Sequence, residues 1–322
     1  MRYVNRKAMT IRPSGRSSDY ITPSFGFGCL YKCSYCYMRR HIPKGLTVAN
    51  NPEDLLIAIE KHCEELSWPK EPNQTHKEYY TYDFSCNEDF VLHAKFHDWR
   101  LVFDYFKYHE KAMGTAATKY VNKHLLDYDA NRKVRIRFSI MPQVLSTKLE
   151  PGTSKIIDRI RAVNDFYEAG YDVHLNYSPI VMYKNHKQHY NELFKLVDTI
   201  VDDSIKDKVK AECIFLTHNE KMHKYNTENN VEGEELLWTP ENQERKLSQY
   251  GNVNIRYRYQ TKYRYINDFT RRHKRVVPWQ KIRYIFWIHH ILKYVKNVKE
   301  SMLEMSTLKG AYLVKIITRK QF

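Results

Sequence analysis

Short apolar runs alternate along the chain with longer segments whose apolar residues recur at helical spacing. The alternation extends from about residue 24 to residue 216 and is typical of βα units that build a parallel sheet. The predicted strands are 24–28, 78–84, 115–118, 134–140, 172–177 and 210–216. Six such units predict an α/β fold, a partial (β/α)6 barrel of the TIM type rather than a closed eightfold barrel.

Three segments between these strands carry helix signals. Asn51 followed by Pro52 predicts a helix start, since Pro is well tolerated at the first helical position. A second helix is predicted to begin at Thr153 or Ser154 and to end at Gly170, and a third lies near residues 189–201. Each has apolar residues on one face, so each is expected to pack against the sheet.

The residue pattern changes after about residue 217, and the chain is expected to divide into four parts. These are a short N-terminal lead (1–23), the partial barrel (24–217), a basic, Tyr-rich extension (218–285) and a helical tail (286–322). Residues 255–298 hold twelve Lys and Arg and a single acid, Asp268, and tyrosines are interleaved with the basic residues. The portion at 256–265 resembles strands, and a β-hairpin that lies against a nucleic-acid groove is predicted there.

The charge of the chain supports a polyanionic partner. The 322 residues include 53 Lys and Arg against 37 Asp and Glu, a net charge of +16. Cationic side chains neutralise phosphates and aromatic rings stack on bases, so the basic extension is typical of a DNA-binding surface. The alternative is a solvated charged face. The expected DNA contacts are Arg256, Arg258, Tyr259, Lys262, Arg264, Arg271 and Arg272.

Cysteine content and apolar run length indicate the compartment. Six cysteines, unevenly placed, do not suit a disulfide scaffold, and no apolar run approaches the roughly 18 residues of a membrane helix. The N-terminus shows no apolar segment typical of a signal peptide. We therefore expect a cytoplasmic protein with reduced thiols, no membrane contact and a monomeric state.

Three cysteines, Cys29, Cys33 and Cys36, lie within eight residues in a C-x3-C-x2-C arrangement after a predicted strand. Three thiolates on one loop suit three irons of a [4Fe–4S] cluster and leave the fourth iron without a protein ligand. An open iron can chelate S-adenosyl-L-methionine, whose reductive cleavage gives a 5′-deoxyadenosyl radical. The alternative is a zinc site, which needs four ligands and for which His41 is a candidate fourth. The spacing favours the cluster.

The sequence around and beyond this loop resembles the spore photoproduct lyase family of the radical SAM superfamily. The likeness is carried by Ser34-Tyr35-Cys36-Tyr37, Thr118-Lys119-Tyr120, residues 134–140, Glu150-Pro151-Gly152-Thr153-Ser154 and Ala169-Gly170-Tyr171. It covers roughly residues 22–285. The lyases carry a longer N-terminal extension than this chain, and the tail after about residue 286 has no counterpart in them.

The resemblance implies catalytic residues. Cys86 matches the cysteine that donates a hydrogen atom to the substrate thymine radical. Tyr35 and Tyr37 match two tyrosines thought to relay the hydrogen back towards the deoxyadenosyl group.

The resemblance also implies cofactor contacts. Lys119 and Ser139 match positions that hold the methionyl part of S-adenosylmethionine, and Glu150 is expected near the cofactor. Glu88 stands where the family has a serine that contacts the cofactor, so that contact is not expected here.

Three functions are compatible with these features. The first is a carbon–carbon lyase in DNA repair that reverses a thymine–thymine photoproduct. In that reaction the radical takes a hydrogen atom from the lesion, the bridge fragments and Cys86 quenches the thymine radical. The second is a related enzyme that modifies, isomerises or rearranges a thymine or another base in DNA. The third is a non-catalytic nucleic-acid-binding iron–sulfur protein.

For the enzymes, the expected partners are thymine-containing DNA and a reductant such as flavodoxin or ferredoxin. A base stacked in a duplex cannot reach a barrel interior, so the duplex is expected to extrude it.

Overall fold

The computed structural model describes residues 1–95, 98–247 and 253–285. The described residues up to Tyr284 form one compact unit. The helical tail predicted at 286–322 lies outside the described residues.

The strands and helices of these ranges are numbered in chain order. The strands are β1 (Arg2–Val4), β2 (Arg12–Pro13), β3 (Tyr20–Ile21), β4 (Gly26–Phe27), β5 (Thr47–Ala49), β6 (Tyr80–Asp83), β7 (Ala112–Thr118), β8 (Val134–Ile140), β9 (Asp172–Ile180), β10 (Lys210–Phe215), β11 (Thr217–Asn219), β12 (Gln243–Leu247), β13 (Val253–Tyr257) and β14 (Ile282–Ile285). The α-helices are α1 (Pro52–Glu64), α2 (Phe90–His93), α3 (Arg100–Tyr108), α4 (Gln143–Leu149), α5 (Ile156–Glu168), α6 (His186–Ile200), α7 (Glu220–Glu228), α8 (Glu234–Leu237) and α9 (Tyr259–Val276). Short 3-10 helices occupy Tyr37–Lys44, Lys123–Asp127 and Asp203–Ile205.

The main sheet has eight strands in the order β14-β10-β9-β8-β7-β6-β3-β2. Each neighbouring pair from β3 to β10 is parallel, which gives six parallel strands, and β2 runs antiparallel to β3. The predicted partial (β/α)6 barrel is confirmed. The six parallel strands curl around a polar interior, and the helices between them cover the outer face.

The strand β8 shows how alternation separates the two faces of the sheet. Arg137 faces the interior, where its Nε donates to Thr115 Oγ1 at 2.9 Å. The next residue, Phe138, points outward, and the centroid of its ring lies 5.2 Å from that of Phe166 on α5. Since side chains alternate along a strand, Ser139 faces the interior like Arg137. The sheet therefore holds polar side chains inside and a helix-packed apolar core outside.

The start of the barrel differs from the prediction. The first parallel strand is β3 at Tyr20–Ile21, within the expected lead, and residues 24–28 supply β4 to a separate three-stranded sheet with β5 and β1. Gly26 pairs with Val48 on β5 and lies against Glu88. A Cβ at Gly26 would stand 2.1 Å from Glu88 Oε2.

The basic extension folds as a small sheet and a long helix. The sheet has the order β11-β13-β12, and β12 and β13 are antiparallel. The hairpin predicted at 256–265 is wrong in its second part, because α9 begins at Tyr259. The buried residues Lys262, Ile266, Phe269 and His273 follow helical spacing on one face of α9. The alternation of tyrosine and arginine before them concealed this period.

No helix within the described ranges is long and apolar enough to cross a membrane.

Candidate functional site

The cysteine loop follows β4 and leads into the 3-10 helix Tyr37–Lys44. It turns at Gly28, whose φ of +100° is a left-handed conformation that favours glycine. The Gly28 N–H donates to the Asn87 carbonyl oxygen at 3.0 Å. This bond joins the start of the loop to the segment after β6, so the loop lies at the carboxyl end of the parallel strands, where active sites of barrels are found.

The middle of the loop is fixed at Ser34, between the second and third cysteines. The Ser34 N–H donates to the Leu149 carbonyl oxygen at 2.9 Å, and its hydroxyl donates to the Glu232 carbonyl oxygen at 2.9 Å. Asn226 Nδ2 on α7 donates to the Ser34 carbonyl oxygen at 2.8 Å. All of these groups belong to distant parts of the sequence, so the loop is held by the tertiary fold.

The three thiols lie close enough to influence one another and Lys119. Burial raises the pKa of the Cys29 thiol to about 12 and raises those of Cys33 and Cys36. The positive charge of Lys119 opposes burial by lowering the pKa at all three sulfurs. One ammonium group thus lies beside the whole set, which suits three thiolates.

The donor set fits an iron–sulfur cluster better than zinc. In the part of the chain that the structure describes, no three His, Cys, Asp or Glu side chains form a site for a single metal ion. Tetrahedral zinc needs four ligands at one point, whereas each thiolate of a cluster binds a different iron. Three thiolates on one loop therefore suit the cluster.

Lys119 and Glu150 belong to one buried network beside the loop. Lys119 Nζ lies 4.0 Å from Glu150 Oε1, and Tyr35 donates its hydroxyl hydrogen to the same oxygen. Arg159 Nη1 donates to Glu150 Oε2 at 2.9 Å, and Ser146 Oγ donates to it at 3.2 Å. Because both carboxylate oxygens are engaged, Glu150 fixes Lys119 and Tyr35 in place beside the thiols.

Ser139 and Asn176 form a polar pair of positions in the barrel interior. They are register partners on β8 and β9, and both are buried. Among the described residues, Asn176 Oδ1 is buried without a hydrogen-bond partner. An unpaired buried oxygen is costly, so a ligand with a donor group fits this place.

Cys86 lies in a second cluster of polar groups, on the segment after β6. Arg12 Nη2 donates to Cys86 Sγ at 3.5 Å, and Tyr37 donates its hydroxyl hydrogen to Asn87 Oδ1 at 2.5 Å. Asn87 Nδ2 donates in turn to Ser24 Oγ at 2.8 Å. Tyr35 and Tyr37, although two residues apart, thus point to different surroundings: Tyr35 to Glu150 and Tyr37 to the neighbour of Cys86.

Glu88, two residues after Cys86, is bonded to His93 and Gly26. Its side chain is fully buried, its Oε2 lies 2.6 Å from His93 Nδ1, and it accepts a hydrogen bond from the Gly26 N–H. Burial raises the pKa of Glu88. The contacts with His93 and Gly26 explain how a carboxyl group fits at the position where the family resemblance implies a cofactor-binding serine.

The expected DNA contacts on α9 differ in exposure. Arg264 is exposed, and Arg271 and Arg272 each form an ion pair with Asp268, at 2.9 and 2.8 Å. Lys262 departs from the expectation because its side chain is only 1% exposed. Burial, with the nearby charge of Arg256, lowers the pKa of Lys262 to about 7.

The expected contacts before α9 include two arginines that bond to residues of β12. Arg256 on β13 pairs with Glu244 on β12 at 2.8 Å. Arg258 Nε donates to the Gln243 carbonyl oxygen at 3.1 Å, and Tyr259 is the first residue of α9. Arg256 and Arg258 therefore bond to residues of the extension itself, although Arg258 is exposed like Arg264 and Arg271.

Sequence patterns missed three residues of this site. Arg12 and Asn226 reach the site from positions far away in the chain, and Asn176 sits in a strand that was predicted without a function. The alternation that puts Ser139 in the interior, applied to the neighbouring strand, would have found Asn176. No local pattern marks Arg12 or Asn226.

Comparison with known proteins identifies similar sequences. A family described as spore photoproduct lyase matches residues 3–286. The spore photoproduct lyase of Bacillus subtilis (strain 168) is 27% identical over 213 residues, 65% of this chain and 59% of that protein. That of Geobacillus sp. (strain Y412MC61) is 27% identical over 194 residues, 59% of this chain and 54% of that protein. The chain thus spans less than two thirds of these relatives.

Solved structures share the fold. A spore photoproduct lyase complexed with dinucleoside spore photoproduct has a TM-score of 0.77 at 22% identity, over 88% of this chain and 81% of that one. A mutant with bound AdoMet and dinucleoside spore photoproduct has a TM-score of 0.78 at 20% identity, with the same coverage. The curled α/β sheet is therefore the same as in these proteins.

Proposed function

The chain belongs to the spore photoproduct lyase family, and from this membership we propose that it is a DNA repair lyase that reverses a thymine–thymine photoproduct by radical chemistry. The proposal rests on one observation: the chain has two separate thiol sites that are linked through Tyr37 and Asn87. A loop with three cysteines lies beside Lys119, and a separate cysteine, Cys86, lies next to Asn87, which accepts the hydroxyl hydrogen of Tyr37 from the same loop. A merely structural metal site would not require the second thiol.

The residues of the loop side would hold the cofactors. A [4Fe–4S] cluster on Cys29, Cys33 and Cys36, together with S-adenosylmethionine, supplies a 5′-deoxyadenosyl radical when both are bound. Lys119 and Ser139 would bind the methionyl part, and the unpaired Asn176 Oδ1 would accept a hydrogen bond from it. Glu150 would act by holding Lys119.

Cys86 would act as the hydrogen donor. After the lesion fragments, its S–H bond breaks and a C–H bond forms on the thymine radical, which leaves a thiyl radical on Cys86. Burial and the charge of Asp83 raise the pKa of Cys86, so the thiol keeps the hydrogen that the reaction needs. Tyr37, bonded to Asn87 beside Cys86, would be the first relay residue, and Tyr35, bonded to Glu150 beside Lys119, the second.

The substrate would be a duplex whose damaged bases leave the stack. The exposed cations Arg264, Arg271, Lys274 and Arg275 on α9 supply positive charge for phosphates. Such contacts neutralise phosphates without reading bases, so affinity should fall steeply with salt and depend little on sequence. A one-electron reductant of the flavodoxin or ferredoxin class would complete the system.

The direct test is anaerobic repair. The reconstituted protein, S-adenosylmethionine, a reductant and an oligonucleotide with one spore photoproduct should yield thymidine, measured by mass spectrometry of the nucleosides. Cys33→Ala should lose the cluster absorbance and the activity, because one iron loses its ligand.

Cys63→Ala is the matched control for that variant. Cys63 is buried on α1 and contacts Tyr82, away from the loop, so the cluster should remain. A Cys33→Ala protein that keeps a full cluster would remove Cys33 from the ligand set. An untouched lesion with continued formation of 5′-deoxyadenosine would point to a different DNA base as the substrate.

A further inference from the structure

The N-terminal strand β2 brings a guanidinium group to the predicted hydrogen donor. We propose that Arg12 is a positioning residue that sets the orientation of the Cys86 thiol. The inference rests on the proposed function of Cys86, and it adds a residue that neither sequence motifs nor the family resemblance indicated. Its basis is the contact at 3.5 Å between Arg12 Nη2 and Cys86 Sγ.

The fold holds Arg12 at this place. The strand β2 pairs antiparallel with β3, and Arg12 is the register partner of Ile21. Ile21 in turn pairs with Asp83, the last residue of β6. Arg12 therefore lies beside the carboxyl end of β6, where the segment that carries Cys86 begins. The rest of the Arg12 side chain is exposed. In the part of the chain described here, Cys86 Sγ is its one side-chain hydrogen-bond partner.

The contact restricts a short side chain. The Cys86 thiol rotates about χ1 among three staggered positions, and a donor on one sulfur lone pair favours one of them. With that lone pair occupied, the S–H hydrogen is directed away from Arg12. The neighbouring groups do not replace this contact, since Asn87 accepts from Tyr37 and donates to Ser24.

The charges around Cys86 keep the thiol protonated despite the cation. Burial and the negative charges of Asp83 and Glu88 raise its pKa, while Arg12 lowers it. Together these effects raise the pKa of Cys86 above the ordinary value of a cysteine. Arg12 can therefore hold the sulfur without removing the hydrogen that Cys86 donates.

The contact is tested by site-resolved alkylation of the cluster-loaded protein. Iodoacetamide labelling of Cys86, followed by mass spectrometry across a pH series, gives the pH at which labelling reaches half its maximal rate. Arg12→Gln should move this pH upward because a cation beside the sulfur is lost. Arg12→Lys should keep it near the value of the unaltered protein. Arg2→Gln, an exposed arginine of the same segment that donates to the Lys44 carbonyl oxygen, is the control and should not move it.

The positioning role is tested by the products of repair. In Arg12→Gln the ratio of adduct to thymidine should rise several-fold, since a freely rotating thiol quenches the thymine radical less often, while 5′-deoxyadenosine formation continues. An unchanged labelling pH in Arg12→Gln overturns the contact. A shifted labelling pH with an unchanged product ratio overturns the positioning role.

Failure of the proposed function is distinguishable from failure of this inference. If the unaltered protein yields no thymidine from the lesion, the repair activity is refuted. The labelling series needs no substrate and then decides by itself, so an unshifted pH overturns the placement of Arg12 against Cys86.

Discussion

The position of each thiol separates the two proposed roles. Lys119 lowers the pKa of the three loop cysteines and Arg12 lowers that of Cys86, but burial outweighs both cations and raises the pKa of all four thiols. Three thiols share one short loop beside Lys119, whereas Cys86 stands apart next to Asn87. A cluster needs several thiolates on one loop and a hydrogen donor needs one S–H bond, so this arrangement matches the two proposed roles.

Replacing Cys86 separates radical formation from quenching. Cys86→Ala should keep formation of 5′-deoxyadenosine but lower the thymidine yield by about tenfold or more, since the fragmented lesion lacks its donor. Mass spectrometry should show an adduct of the unquenched radical instead. Cys213→Ala, at a buried strand position, should keep the normal products. A normal thymidine yield from Cys86→Ala would remove Cys86 from the reaction.

At the scale of elements, α7 supports the cysteine loop through one side chain. Asn226 Nδ2 donates both to the Ser34 carbonyl oxygen at 2.8 Å and to Glu234 Oε2 at 2.5 Å. Glu234 is also bonded to His218 and His223. The loop therefore depends on a network that spans β11, α7 and α8.

Removing this support should loosen the loop. Asn226→Ala leaves the Ser34 carbonyl oxygen without this donor, which should destabilise the folded loop by about 1–3 kcal/mol. We expect the cluster of this variant to lose iron several-fold faster in air, measured by the decay of its visible absorbance. Asn229→Ala, at the exposed end of α7, is the control and should lose iron at the normal rate. Equal rates in both variants would show that Asn226 does not hold the loop.

The elements that sequence could predict are those with a local signature. The strand β8 matches its predicted bounds because apolar and polar residues alternate over 134–140, which is the period of a strand. The helix α9 was missed because Tyr and Arg alternate at its start, and its helical period appears only from Lys262 onward. In the site, Cys29, Cys33 and Cys36 are a local motif. Arg12, in contrast, depends on pairing between β2 and β3, which no local pattern encodes.

At the scale of the whole molecule, buried charges tie the barrel together. Glu212 on β10 is fully buried and forms ion pairs with Arg283 on β14 and Arg137 on β8. Arg137 also pairs with Asp83 on β6 at 2.6 Å. The network connects strands across the interior, so its integrity should affect the stability of the unit rather than the chemistry alone.

Glu212→Gln should destabilise the fold strongly. It leaves two buried arginines without their shared partner, and the free energy of unfolding should fall by about 3–5 kcal/mol. Urea unfolding at pH 7 measures this loss. Glu228→Gln, at an exposed i,i+4 pair with Lys224, should change it by less than about 1 kcal/mol. Similar midpoints for both variants would contradict the role of the network.

The same carboxylate makes stability depend on pH. Burial alone would raise the pKa of Glu212, but the charges of Arg283 and Arg137 lower it from 4.5 to about 2. A carboxyl group whose pKa is lowered by folding stabilises the fold at pH values above its pKa in the unfolded chain. This contribution should be complete above about pH 4.5 and should be lost as the pH falls towards 2. Glu212→Gln should lack this part of the acid dependence, measured by unfolding at each pH.

Repair in deuterated water shows whether Cys86 quenches the thymine radical. The hydrogen on a thiol exchanges with solvent, so Cys86 will carry deuterium before it quenches the thymine radical. Anaerobic reaction with DNA that contains the spore photoproduct should release thymidine with one deuterium per lesion repaired. Thymidine without deuterium would contradict the role of Cys86, and an untouched lesion would contradict repair itself.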